Sequence, residues 1–107
     1  MATILLISED GSALELVRAA LVLAGHEVLV TRDASSVRRR CDLAIVDLEQ
    51  FEAAAKAREL ADKVVLFSEA TEELTRERVE QSGAQGYVRK LGPERLREDV
   101  QLLLDAA

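Results

Sequence analysis

The residue types that could do chemistry in this chain are few, and they fall at the ends of apolar runs. One histidine, one cysteine, one tyrosine, two phenylalanines and no tryptophan leave no material for a His/Cys metal cluster or a base-stacking platform. Chemistry must come from carboxylates, hydroxyls and lysine. Those side chains gather just past four short runs: Ser8, Glu9 and Asp10 after Ile4–Ile7, Asp47 after Leu43–Val46, Ser68 and Glu69 after Val64–Phe67, and Lys90 shortly after Gly86–Val88. In LAIVDLEQF, Leu43 to Phe51, a lone Asp47 follows four apolar residues. A carboxylate in that position costs free energy unless something satisfies it, so either the strand has simply ended or the acid serves a reaction. Strand ends meet polar chain by default, so Glu9, Asp47 or Ser68 alone would be an ordinary surface residue. A group of acids with a lysine is the arrangement found at functional sites.

Five β-branched, apolar runs alternate with helical patterns: the four above and Val28–Thr31. The first helix is predicted from about Ser12 to Ala24, with Ser12 and Glu15 as a capping box, Leu14, Val17, Leu21 and Ala24 on one face, and Gly25 as the stop. A helix over Thr71 to Ser82 has Glu72 and Glu73 in its first turn and Gly83 after its end, and the last helix starts at Pro93 with Leu96, Val100, Leu103 and Leu104 on the covering face. Ala34–Arg40 and Gln50–Ala61 carry weaker helical patterns, one short and basic, the other alanine-rich. Strands alternating with helices imply a parallel sheet with right-handed crossovers and helices on both faces, and near-continuous apolar strands agree. In such sheets ligands bind beyond the carboxyl ends of the strands where the strand order reverses. With the order 2-1-3-4-5, Glu9 and Ser68 would flank Asp47, and Lys90 could reach in from roughly 10 Å.

These stretches resemble the receiver domain of two-component response regulators over essentially the whole chain. TILLISED looks like that family's first strand and acidic cluster, DLAIVDL like the strand ending in the phosphoacceptor aspartate, VVLFS like the strand ending in the switch Ser/Thr, and GAQGYVRK like the strand with the switch aromatic and the lysine. The resemblance implies a flavodoxin-like (βα)5 three-layer sandwich, residues 1–107 as a single domain, with shortened second and third helices. It implies that Asp47 accepts a phosphoryl group, that Glu9, Asp10 and Asp47 hold Mg2+ with a backbone carbonyl, that Lys90 pairs with Asp47 and then with the phosphoryl group, and that Ser68 and Tyr87 respond as the switch. A histidine kinase or phosphotransfer protein as donor and a downstream protein as target are implied with it.

Several residues depart from the family pattern. Ser8 stands where the first of two adjacent carboxylates is usual, which weakens the expected hold on metal. The proline- and glycine-containing loop after the phosphoacceptor is missing, with Phe51 at the proline position; Leu91 replaces a proline after Lys90; and Glu69 occupies a small-residue position where it would repel an incoming phosphodonor. The leading expectation is a stand-alone phosphoacceptor receiver, and the alternative is a phosphorylation-independent pseudo-receiver that binds a partner through its surface. An enzyme is not expected, because DLEQF lacks the second aspartate of aspartate-based phosphatases and SEDGS is no phosphate-cradling glycine loop.

Twenty acidic against fourteen basic residues, a net charge of −6, oppose a phosphate backbone as partner, so direct nucleic-acid binding is not expected. The opening residues lack a signal peptide or membrane span, and an unpaired Cys41 fits a reducing cytoplasm. His26 reads as an exposed loop residue, Cys41 as a packing residue beside the third strand, and Arg38–Arg40 as a solvated face. The Thr71–Ala107 segment, with Tyr87, Arg89, Arg95 and Arg97 among Glu77, Glu80, Glu98 and Asp99, is expected to form the partner or homodimer face.

Overall fold

The computed structural model describes residues 2–9, 11–68, 71–89 and 93–105, leaving out the side chains of 11–14, 89 and 93–96. Five strands, β1 (Thr3–Ile7), β2 (Glu27–Thr31), β3 (Cys41–Asp47), β4 (Ala61–Ser68) and β5 (Gly86–Arg89), alternate with four α-helices, α1 (Gly11–Leu23), α2 (Ala54–Leu60), α3 (Glu72–Ser82) and α4 (Pro93–Asp105). All strand pairs are parallel and the sheet order is β2-β1-β3-β4-β5. This is the expected flavodoxin-like topology, with the order reversing between β1 and β3.

Alternation along the strands divides the core in two. Ile4, Leu6, Leu43, Ile45, Val65, Phe67 and Val88 face α1 and α4, meeting Val17, Leu21 and Val100, with Leu103 and Leu104 against them. Leu5, Ile7, Ala44, Val46, Val64 and Leu66 face the other way, against Ala54 and Ala57 of α2 and the neighbouring turns. Each fully buried Leu or Ile contributes roughly 1.5–3 kcal/mol relative to exposure. The strands run past the apolar stretches read from sequence because polar residues also hold ladder register: Thr3 pairs with Glu27 and Leu43 with Lys63.

The helices differ from expectation mainly at their ends. Because α1 begins at Gly11, Ser12 is already a helical residue and not the cap, so the expected Ser12–Glu15 capping box is not the start signal. Gly25 does end the helix, at φ +93, with its N–H donating to Val22 O at 2.9 Å and that of His26 to Leu21 O at 3.1 Å. The imidazole Nδ1 of half-buried His26 accepts from Ala2 N–H at 3.2 Å, so it tethers the chain start instead of standing free in a loop. The second helix shrinks to a 3-10 turn, Ala34–Ser36, whose cap Asp33 accepts from Ser35 N–H at 2.9 Å. That bond holds the Asp33 carboxyl below the usual carboxylate range. Arg38, Arg39 and Arg40 lie beyond it, exposed and non-helical; Arg39 pairs with Glu27, and Arg40 with Asp62 at 2.6 Å.

The predicted Gln50–Ala61 helix divides into a 3-10 segment, Leu48–Ala53, and the short α2, with Gln50 non-helical at φ −114, ψ 29. α3 starts at its cap Thr71, whose hydroxyl accepts from Leu74 N–H at 3.3 Å, and ends on Gly83 at φ +76. α4 starts at Pro93 as expected, and the Lys63 ammonium donates to the carbonyl of Leu103 near its end.

Candidate functional site

The ends of β1, β3 and β4 meet at the reversal point of the sheet. Asp47 is the last residue of β3 and is 9% exposed. Its carboxylate is satisfied twice by neutral donors: Ser8 Oγ donates to Oδ2 at 2.8 Å and Glu49 N–H donates to Oδ1 at 3.1 Å. The second bond makes Asp47 the cap of the following 3-10 segment. Ser8 is aimed from a fixed backbone, since it continues β1 and its own N–H donates to Thr31 O at 3.1 Å. The strand has therefore ended at Asp47, and the acid faces an open cleft lined by Glu9, Asp47, Glu49 and Gln50. The Gln50 side chain closes one wall, its Oε1 accepting from Glu9 N–H at 2.6 Å.

Ser68 ends β4 one residue beyond Phe67, the register partner of Asp47. It is 1% exposed, and its Oγ lies 2.9 Å from Oγ1 of Thr75 in α3. Tyr87 in β5 is half-buried among the residues facing α2 and α3, with its hydroxyl donating over a long 3.4 Å to Glu72 Oε1. Lys90, Asp10 and Glu69 lie outside the described residues; Lys90 follows Arg89, which pairs in register with Ser68. Of the predicted site residues, Glu9 and Asp47 share the cleft and Ser68 stands on the neighbouring strand.

Among the described residues, no group of three or more His, Cys, Asp or Glu side chains gathers as a metal site. Glu9 and Asp47 are two hard oxygen donors on one cleft, a set that fits an ion such as Mg2+ that keeps several waters. Ser8 adds no charge to that set and spends its proton on Asp47.

Three contributors were not read from sequence: the Glu49 N–H, the Gln50 brace and the Thr75 hydroxyl. Only Thr75 left a trace there, as a Thr four residues after another in a polar helix. Phe51 serves packing: the Arg78 guanidinium lies 4.4 Å from its ring centroid, joining the 3-10 segment to α3. Leu48, Glu49, Phe51, Leu74 and Arg78 line a groove there beside the cleft. Cys41 begins β3 itself, buried, and burial pushes its thiol pKa up more than nearby Arg39 lowers it. It is a packing residue.

No family model matches the sequence, and no curated protein matches it. Solved structures do. The receiver domain of a sensor histidine kinase from Pseudomonas aeruginosa, described with a magnesium ion coordinated in its active-site cleft, superposes with TM-score 0.81 at 19% identity over 98% of each chain. A response regulator from Thermotoga maritima gives TM-score 0.77 at 20% identity, covering 97% of this chain and 98% of that one. The chemotaxis response regulator CheY4 of Vibrio cholerae gives 0.75 at 22% identity, covering 96% of this chain and 98% of that one. The chain has the CheY-like receiver fold over nearly its whole length.

Proposed function

We propose that this receiver-fold chain is a phosphoacceptor in two-component signalling, with Asp47 as the accepting residue. The observation that carries this reading is the Asp47 carboxylate: it ends a buried strand at the reversal point, held by Ser8 and Glu49 N–H, and still lines an open cleft beside Glu9. An Asp47 oxygen attacks the phosphorus of a phosphohistidine or small phosphodonor; the new O–P bond gives an acyl phosphate, and the donor's P–N or P–O bond breaks with its electron pair leaving on the donor. Glu9 and Asp47, with Asp10 beside them in sequence, would hold Mg2+, which supplies neutralisation of phosphoryl charge when bound. Lys90 would pair with a phosphoryl oxygen, and Ser68 would donate its hydroxyl to another. Tyr87, on the strand beside Ser68, would change its packing and pass the state on.

The phosphoryl donor would be a histidine kinase or phosphotransfer protein, and the output a protein contact or homodimer formed by the face from α3 to α4. The setting proposed is the cytoplasm. The charge of −6 opposes nucleic acid, and among the described residues no helix is long and apolar enough to cross a membrane. Intact mass after incubation with acetyl phosphate and Mg2+ tests the reading: one phosphoryl adduct on the wild type, none on Asp47→Asn. One observation favours a second reading, a pseudo-receiver that works unphosphorylated. Ser8 donates to Asp47 where the family has a metal-binding carboxylate. A wild type that takes no phosphoryl group selects that reading.

A further inference from the structure

Ser68 is the hydroxyl that the phosphoacceptor reading assigns to the phosphoryl group, yet in this structure it is turned elsewhere. By strand alternation it continues the row of Val64 and Leu66, which faces α2 and α3, whereas Asp47 continues the row of Leu43 and Ile45 on the opposite side. Its Oγ meets Thr75 Oγ1 at 2.9 Å, and Thr75 is completely buried. Thr75 has one proton to give, and it gives it to Thr71 O at 2.8 Å. Ser68 is therefore the donor in the Ser68–Thr75 bond. The three residues form a directed chain from the end of β4 into the first turn of α3, where Thr71 is also the helix cap.

We propose that Thr75 is a positioning residue for the pocket: it holds the Ser68 hydroxyl on the α3 side while Asp47 is unmodified, and a phosphoryl group on Asp47 must win that proton from it. The inference rests on the phosphoacceptor reading above and adds the competing acceptor. When Ser68 turns to the phosphoryl group, buried Thr75 Oγ1 loses an incoming donor, so the first turn of α3 feels the state of Asp47 directly. Thr71 O keeps the backbone bond from Thr75 N–H at 3.0 Å, so the turn survives removal of the hydroxyl.

Thr75→Val removes the competitor at nearly constant shape. Its affinity for beryllium fluoride with Mg2+, a phosphoryl mimic, measured by titration calorimetry, should rise about fivefold over wild type, the equivalent of one neutral hydrogen bond. Thr75→Ser should stay within about twofold of wild type, because it keeps the acceptor. Ser68→Ala should bind the mimic more weakly, and amide exchange at Leu74 and Thr75 should quicken on binding in the wild type only. If the wild type binds the mimic but Thr75→Val binds it equally, with unchanged exchange at α3, Thr75 is a packing residue and this proposal fails alone. If the wild type neither binds the mimic nor accepts a phosphoryl group, the phosphoacceptor reading falls and takes this proposal with it.

Discussion

Among the described residues, Ser8 acts on Asp47 most directly. It replaces an expected negative charge with a proton donor, and the donor sits 2.8 Å from Oδ2 in a buried position. Ser8→Asp removes that donor and places a second carboxylate against the first, so without metal the variant should lose about 1–3 kcal/mol of stability. Mg2+ should return it, because two adjacent carboxylates bind a divalent cation more tightly than one. Urea unfolding of both proteins with and without Mg2+ reads this directly; a metal-insensitive variant would mean that no cation site exists between Glu9 and Asp47. Cys41 gives a second expectation at this scale. Burial raises its thiol pKa, so the thiolate is scarce in the folded state until the pH passes well above the ordinary thiol value. Alkylation should be slow in buffer and fast in denaturant, and rapid labelling of the native protein would contradict the packing assigned here. The strand-end positions of Asp47, Glu9 and Ser68 were legible in sequence because each follows an apolar run. Gln50 and Thr75 were not, because their roles depend on which distant backbone or hydroxyl the fold brings to them: Gln50 meets Glu9 across 41 positions of chain.

At the scale of elements, two start signals and two glycine stops hold, with Thr71 capping α3 and Pro93 opening α4. Gly25 and Gly83 both end helices with positive φ, at +93 and +76. Ser12 is not the cap because the helix has already begun at Gly11, and the predicted Gln50–Ala61 helix is 3-10 as far as Ala53 and α-helical only from Ala54. A Cβ at Gly25 meets nothing within 4 Å, and one at Gly83 would come 2.6 Å from Arg58 Nη1, the far end of a flexible side chain that can swing clear. Gly25→Ala and Gly83→Ala should each cost the left-handed backbone strain of about 1–2 kcal/mol. Arg58→Ala should recover nothing at either glycine, as thermal unfolding of the single and double variants would reveal. Non-additive effects at Gly83 and Arg58 would show that the guanidinium is held in place.

For the molecule as a whole, the sheet separates two residues that sequence reading put on one output face. Tyr87 packs with the residues facing α2 and α3, while Arg97 lies with Ala24, Glu98 and Gln101 in the groove between α1 and α4. A partner reaching Tyr87 need not touch Arg97. If phosphorylation drives self-association through the α3–β5 side, Tyr87→Ala should weaken it about five- to tenfold, a usual cost for an interface aromatic, and Arg97→Glu should leave it unchanged. Sedimentation of the phosphorylated proteins would register the difference, and the reverse pattern would move the interface to the α1–α4 groove. The parallel sheet and its order were legible because strands buried on both faces read as unbroken apolar runs. The division of surfaces was not, since α1 and α4 cover one side of the sheet and the three connections between them cover the other, a choice that no local pattern records. All of these expectations depend on Asp47 being the acceptor, and one measurement addresses that most directly: intact mass of wild type and Asp47→Asn after acetyl phosphate and Mg2+, repeated after hydroxylamine, which cleaves an acyl phosphate and spares a phosphate ester. One adduct is expected on the wild type, lost in hydroxylamine, and none on the variant. An unlabelled wild type, an adduct that survives hydroxylamine, or equal labelling of Asp47→Asn would contradict it.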